Sequence, residues 1–260
     1  SFVNDAPILL ATDTTAKSVR AFVQNNLNPG GTVYILGGTK VMPDSIANGL
    51  LNCTVERIAG DNRFLTNLQI LEKADVTGGE ILVATGTNFA DSLSASAAKK
   101  PILLVYNELT QEQKDFLAGL QDVKFTIVGG EKAVNFDIET ILRGHAATMR
   151  IGGANRYETS VEIAKRLFED PDTAVLAYAW DFPDGLCGGQ LALSMGAPLI
   201  LTGDPKVQTT ASSTEAAAKY AKDCGISAGT VLGGQGLIAD KAVRDIFRME
   251  DGNNIVPISK

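Results

Sequence analysis

The chain has 260 residues, 45% of them hydrophobic and 20% charged, and carries a formal net charge of −7. Its length admits one large domain or two to three small ones, and its composition is that of a globular chain. The acidic balance argues against nucleic acid as a partner, so any anionic ligand has to be gripped by local arginines rather than steered by a bulk positive field. No apolar run reaches the roughly 18 residues of a membrane span, which gives no reason to expect membrane insertion.

In chain order, Ala6 to Leu10 is a short continuous apolar run, the pattern of a strand buried on both faces. Asp13 or Thr14 can cap a helix carrying Val19, Phe22, Val23 and Leu27. Thr32 to Leu36 is a second buried strand closed by Gly37-Gly38, and Pro43 opens a short helix reaching about Leu50. A strand ending at Arg57-Ile58 follows, then a glycine turn with Asp61 as N-cap and a helix lined by Phe64, Leu68 and Leu71. Glu80 to Thr85 is a strand, Phe89 to Ala98 a small-residue helix, and Pro101 to Val105 an apolar strand. A helix over about 110–120, a strand at 123–128 ending in Gly129-Gly130, and a helix over about 135–142 complete the unit. The order then repeats: a strand at 174–178, a helix opening at Asp181-Phe182-Pro183-Asp184, an apolar strand at 198–201, a helix over about 211–223, a strand at 230–232 before Gly233-Gly234, and a last helix over 239–249. The tail from Asp251 to Lys260 reads as a linker or frayed end.

The repeat is written most clearly in Arg57-Ile58-Ala59-Gly60-Asp61-Asn62-Arg63-Phe64-Leu65-Thr66, which returns 93 residues later as Arg150-Ile151-Gly152-Gly153-Ala154-Asn155-Arg156-Tyr157-Glu158-Thr159. That offset is the size of a small domain rather than a solenoid turn. Alternating strands and helices of these lengths predict an α/β fold with parallel sheets. Apolar strands at Pro7, Pro101 and Pro198, and double glycines at 37–38, 129–130 and 233–234, extend the register to three copies. Their expected bounds are 1–54, 55–148 and 149–250, with 251–260 as tail. The motif precedes only the second and third copies, so the first repeat is incomplete. A missing strand would leave an unpaired sheet edge, so either another segment supplies it or the first copy is incomplete as the sequence stands.

Several chemistries find no footing. None of the double glycines extends to GxGxxG or to the GKS or GKT of a P-loop, so turns needing positive φ explain them better than a cofactor does. The single histidine, His145, has no repeat-mate, which leaves a histidine-based hydrolytic triad or a zinc site without its parts. Cys53, Cys187 and Cys224 form neither a CxxC pair nor a disulfide framework. Asp91 and Asp184 share the 93-residue offset. One reading pairs Arg63 with Asp91 and Arg156 with Asp184 as bidentate structural clasps. The other turns Arg57, Arg63, Arg150 and Arg156, with Asn62, Asn155, Thr66 and Thr159, toward a polar or anionic ligand.

The two motifs, together with Asn88-Phe89-Ala90-Asp91-Ser92-Leu93, the Pro-Ile-Leu-Leu runs and the strands ending in Gly-Gly, resemble the type 2 cell-wall-binding repeat family of Gram-positive, especially clostridial, surface proteins. The resemblance covers about residues 5–250. It implies tandem Toprim- or Rossmann-like units in a pseudo-threefold arrangement, an extracellular location at the cell wall, and non-catalytic, non-covalent anchoring to an anionic secondary cell-wall polysaccharide. No cofactor or metal is implied. Autolysins, proteases, adhesins or S-layer subunits are the segments such modules accompany. Two other functions fit the residues less specifically: an α/β enzyme or small-molecule binder with a site at the C-terminal strand ends, and a structural S-layer subunit.

Overall fold

The computed structural model describes residues 6–203, 211–250 and 255–257. Three parallel sheets follow one another along the chain. The first pairs β1 (Thr32–Leu36) with β2 (Thr54–Ile58). The second has the order β4 (Ile102–Val105), β3 (Gly78–Thr85), β5 (Gln121–Val128), β6 (Thr148–Ile151). The third has the order β8 (Leu199–Thr202), β7 (Ala174–Tyr178), β9 (Gly229–Leu232). Every strand pair is parallel, as expected where helices carry each crossover.

The connecting helices are α1 (Ala16–Asn26), α2 (Arg63–Lys73), α3 (Ala90–Ala95), α4 (Gln111–Gly119), α5 (Phe136–His145), α6 (Arg156–Leu167), α7 (Pro183–Ser194), α8 (Ala211–Asp223) and α9 (Asp240–Phe247). In the second sheet, Ile81, Val83, Phe125 and Ile127 face Leu71, Leu117, Ile138 and Leu142. Alternate residues Leu82 and Ala84 face Ala95, Ala98, Ile151 and Ile163. Burial on both faces explains why these strands read as continuous apolar runs.

The motif strands sit where the repeat arithmetic does not reveal. β2, at the head of the second copy by sequence, pairs with β1, and β6 pairs with β5. The helix after each motif strand moves on: α2 packs on β4, and α6 on β8 and α8. Each motif therefore leaves one sheet and enters the next.

Two expected elements are absent. Residues 6–10 carry no regular structure. Their counterparts β4 and β8 are held by the central strands β3 and β7, and the described residues contain no such strand beside β1. An extended run without a ladder partner stays irregular. The helix expected over 43–50 is only a 3-10 turn, Asp44–Ile46. Arg20 takes the carbonyls of Ser45 and Ile46, and Gly49 at φ 91° turns the chain out of helical geometry. Of the tail, Ile255 packs against the core of the third sheet; the remainder of 251–260, apart from 256 and 257, lies outside the described residues.

The copies interlock through their small-residue helices. Ala90, Leu93 and Ala97, from the second copy, are buried with Val175, Ala177, Ala192 and Leu199 of the third. Leu93 lies so close to Gly185 that a Cβ there would come within 2.6 Å of its Cδ2. In the same sense, Cys187 on α7 of the third copy meets the backbone of Leu10 in the first.

This interlock predicts how the chain melts. Leu93→Ala should cost about 2–5 kcal/mol, and Trp180 fluorescence, which reports on the third copy, should shift with the far-UV circular dichroism transition. A Trp180 transition left at the wild-type midpoint would mean that the copies fold independently.

Candidate functional site

The motif side chains converge at the C-terminal ends of the strands. Gly37, Gly129 and Gly233 each follow a strand at φ 114°, 111° and 113°, a conformation open to glycine and strained for other residues. The first motif arginine reaches back to these turns. Arg57 Nη1 donates to the Gly37 carbonyl, and its Nη2 to Asp44 at 2.7 Å. Arg150 Nη1 donates to the Gly129 carbonyl at 2.9 Å, and Nη2 to the Val134 carbonyl at 2.9 Å. Arg150 Nε and Nη2 also grip Glu139 Oε2 at 3.1 and 2.6 Å. The hydrogen bond from Arg150, joined by one from Arg143, holds the Glu139 carboxyl below its usual range against the opposing effect of burial.

The second motif arginine reaches forward. Arg63 Nη1 donates to the Gly86 carbonyl after β3, and Arg156 Nη1 to the Ala179 carbonyl after β7, both at 2.7 Å. One motif thus fastens the turn of the sheet it leaves and the strand end of the sheet it enters.

Between the two arginines, the motif builds a helix start. Asn62, not Asp61, is the N-cap of α2: its Oδ1 accepts from the amides of Phe64 and Leu65. Asn155 caps α6 by accepting from Glu158 N. Thr66 Oγ1 accepts from Gly60 N, and Thr159 Oγ1 from Gly153 N, both at 3.0 Å. The glycines let the loop lie on the helix. A Cβ on Gly60 would stand 2.6 Å from the Leu65 carbonyl carbon, and one on Gly153 2.7 Å from that of Glu158. Asn, Thr and Gly of the motif are thereby engaged in forming the turn and cap.

The aspartates do not take the partners that spacing suggested. Among the described residues, neither Arg63 with Asp91 nor Arg156 with Asp184 forms an ion pair, because each arginine is turned to a backbone carbonyl at the next strand end. Asp91 instead packs over the glycine turn of its own copy: a Cβ on Gly129 would lie 2.3 Å from its Oδ2, and one on Gly233 3.0 Å from Asp184 Oδ2. Burial pushes the Asp91 carboxyl up to about 6, against the attraction of Arg156 from the following copy.

Aromatic rings surround these carbonyl clamps. Phe64 packs against Gly86 and stacks on Tyr106 with ring centroids 6.0 Å apart. Arg156 lies 4.1 Å from the centroid of Trp180 and 5.9 Å from that of Phe89, whose ring meets Phe182 at 6.0 Å. Trp180 Nε1 donates to Tyr157 Oη at 2.8 Å. The sequence reading passed over Trp180 and Tyr106. The signal for Trp180 was its place as the single tryptophan, at the end of a buried strand where the second copy has Thr87.

No group of three or more metal-ligating side chains occurs among the described residues, and no described helix is long and apolar enough to cross a membrane. The model of the cell wall binding domain 2 family matches residues 57–139 and 150–243, each match opening on the first motif arginine. Over 215 residues the chain is 28% identical to the N-acetylmuramoyl-L-alanine amidase LytC of Bacillus subtilis, covering 80% of this chain and 41% of that protein. It is 28% identical over 231 residues to the amidase enhancer of the same organism, covering 84% of this chain and 31% of the relative. The chain thus spans well under half the length of these relatives. Among solved structures, Cwp8 from Clostridium difficile superposes with a TM-score of 0.78 at 25% identity, over 95% of this chain and 43% of that one. Cwp6 from Clostridium difficile shares the fold with a TM-score of 0.77 at 22% identity, over 94% and 40%.

The raised Asp91 pKa sets the sign of a stability change with pH. Unfolded aspartate titrates near ~3.9, so the folded state favours the neutral form; this stabilisation is complete below about pH 4 and is lost as pH rises through about 6. Glu80 shifts the other way, its stabilisation being lost as pH falls below about 4, and it does so equally in wild type and Asp91→Asn. Burial raises its carboxyl, but hydrogen bonds from Lys100, Lys124 and Thr126 outweigh it and hold the group at about 2. Urea denaturation should therefore show wild-type stability falling by up to about 3 kcal/mol relative to Asp91→Asn between pH 4 and pH 7. Parallel stability curves across that range would contradict the burial of this carboxyl.

The glycine contacts give a second test. Gly60→Ala or Gly153→Ala should lower the urea midpoint, by about 1–3 kcal/mol each, because the added methyl group meets backbone. Ala59→Gly, at a neighbouring position outside the turn contact, should stay within about 1 kcal/mol of wild type.

Proposed function

The chain belongs to the cell wall binding domain 2 family, a cell-surface module of Gram-positive bacteria, and on that premise we propose that it anchors a surface protein non-covalently and without catalysis to an anionic secondary cell-wall polysaccharide. The observation that carries this reading is the division of labour among the four motif arginines. Arg57 and Arg150 are turned inward onto carboxylates and carbonyls, with side chains 22% and 18% exposed. Arg63 is exposed and Arg156 half-buried, and each commits a single hydrogen bond to a strand-end carbonyl. Their remaining N–H donors are available to phosphate or carboxylate in charge-assisted bonds.

Arg63 and Arg156 are therefore the polymer contacts in this reading. Arg57, Arg150, Asn62, Asn155, Thr66 and Thr159 hold the turn that presents them, and Asp91 and Asp184 support the glycine turns. Two equivalent corners on one chain suit a linear polymer with repeating charge, since linked weak contacts gain by effective concentration. Three copies around a pseudo-threefold axis are part of the proposal. The matching sense of the α3 contact with the third copy and the Cys187 contact with Leu10 supports it.

Sedimentation with purified Gram-positive walls tests the anchor. The protein should pellet with untreated walls, and raised salt or prior stripping of the anionic polymer should release it. Arg63→Ala with Arg156→Ala should weaken retention about tenfold or more with unchanged circular dichroism, whereas Arg150→Ala should chiefly lower the melting temperature. Protein left in solution beside untreated walls would refute the anchor.

A further inference from the structure

Trp180 is exposed, yet it is held as few surface side chains are. Its indole Nε1 is tied to Tyr157 Oη, and the Arg156 guanidinium covers one face of the ring at 4.1 Å. Tyr157 is itself 6% exposed, so the tether is anchored in the core. With the guanidinium over one face, the residue is still 51% exposed. Phe182, 45% exposed, extends the apolar surface through Phe89 toward the same arginine. Leaving a large flat ring immobilised in water gives up burial that a free rotamer could recover, while a ligand meeting it loses no ordering entropy on the protein side.

We propose that Trp180, with Phe182 and Arg156, is a stacking platform for a sugar ring of the wall polysaccharide, at the junction of the second and third copies. The inference rests on the anchoring function above and adds the subsite through which the sugar, rather than its charge, is recognised. A pyranose ring presents an apolar face of C–H groups that matches the negative face of an indole, while its rim of hydroxyls and charged substituents stays hydrated. Arg156 lies beneath the ring plane, on the face away from the sugar, and holds the indole in place to receive it.

Two other occupants fit less well. Nucleobases also stack on exposed aromatics, but they bring a phosphate backbone against a chain of net charge −7. A folded protein partner would be expected to use one continuous surface. Here the second copy also places exposed aromatic surface at its clamp, where Tyr106 stacks on Phe64 beside the Arg63–Gly86 contact, though from a different strand end than Trp180. Small, separate aromatic sites on successive copies match a ligand with repeating units.

Trp180 is the single tryptophan of the chain, so its emission reports this site alone. Titration with polysaccharide released from Gram-positive walls by mild acid should change the intensity or wavelength of that emission saturably. Inorganic phosphate at the same phosphate concentration should leave it unmoved. In wall sedimentation, Trp180→Ala should lower affinity about five- to tenfold, Trp180→Phe should recover part of the loss, and adding Tyr106→Ala should weaken retention further. If wild-type protein sediments with walls while its emission does not respond and Trp180→Ala binds equally well, the platform is refuted and the anchor survives. If wild-type protein does not sediment, the anchor and the platform fall together.

Discussion

The structure depends on a guanidinium closing a glycine turn. After each of β1 and β5 the chain reverses through a glycine at φ above 110°, and a carbonyl is left pointing away from the ladder. Arg57 and Arg150, one strand over, supply the donor that carbonyl needs. At Arg150 the same side chain also neutralises Glu139, which is 7% exposed. A buried carboxylate and an unpaired carbonyl are each costly alone. Satisfied by one planar cation with fixed donor geometry, they specify where β6 must lie and in which register. Lysine, a point charge, could not serve the carbonyls of Gly129 and Val134 and the Glu139 carboxylate with the same geometry.

From that fixed point the motif runs on into the next copy. Gly60 or Gly153 lets the loop touch the coming helix, Asn62 or Asn155 caps it, and Arg63 or Arg156 fastens the far strand end. Ten residues thus carry the chain from one sheet to another with both ends clamped. The same economy leaves Arg63 and Arg156 at the rim, with donors to spare beside rigid aromatic rings. In the proposed anchor, structure and binding are divided between two arginines six residues apart.

Much of this was legible in the sequence because it rests on local rules. Continuous apolar runs at 81–85 and 199–201 marked strands covered on both faces, and the helix expected over about 211–223 is α8. The double glycines were correctly read as turns needing positive φ. What failed needed partners that spacing does not name. Residues 6–10 have the composition of β4 and β8 but, among the described residues, find no central strand to pair with, so they stay irregular. The 93-residue offset placed Asp91 and Asp184 in register with the arginines. It could not show that Arg156 would turn to Ala179 while its charge acted on Asp91 of the preceding copy. Trp180 went unnoticed because it breaks the repeat, standing where the second copy has Thr87.

The central claim is that the inner arginines hold the fold while the outer pair meets the wall. The most direct measurement is nuclear magnetic resonance of the arginine side-chain Nε–Hε groups in the labelled protein, titrated with acid-released wall polysaccharide. The account predicts that the signals of Arg63 and Arg156 shift with added polysaccharide while those of Arg57 and Arg150 stay in place. Shifts at Arg57 and Arg150, with Arg63 and Arg156 unmoved, would contradict it.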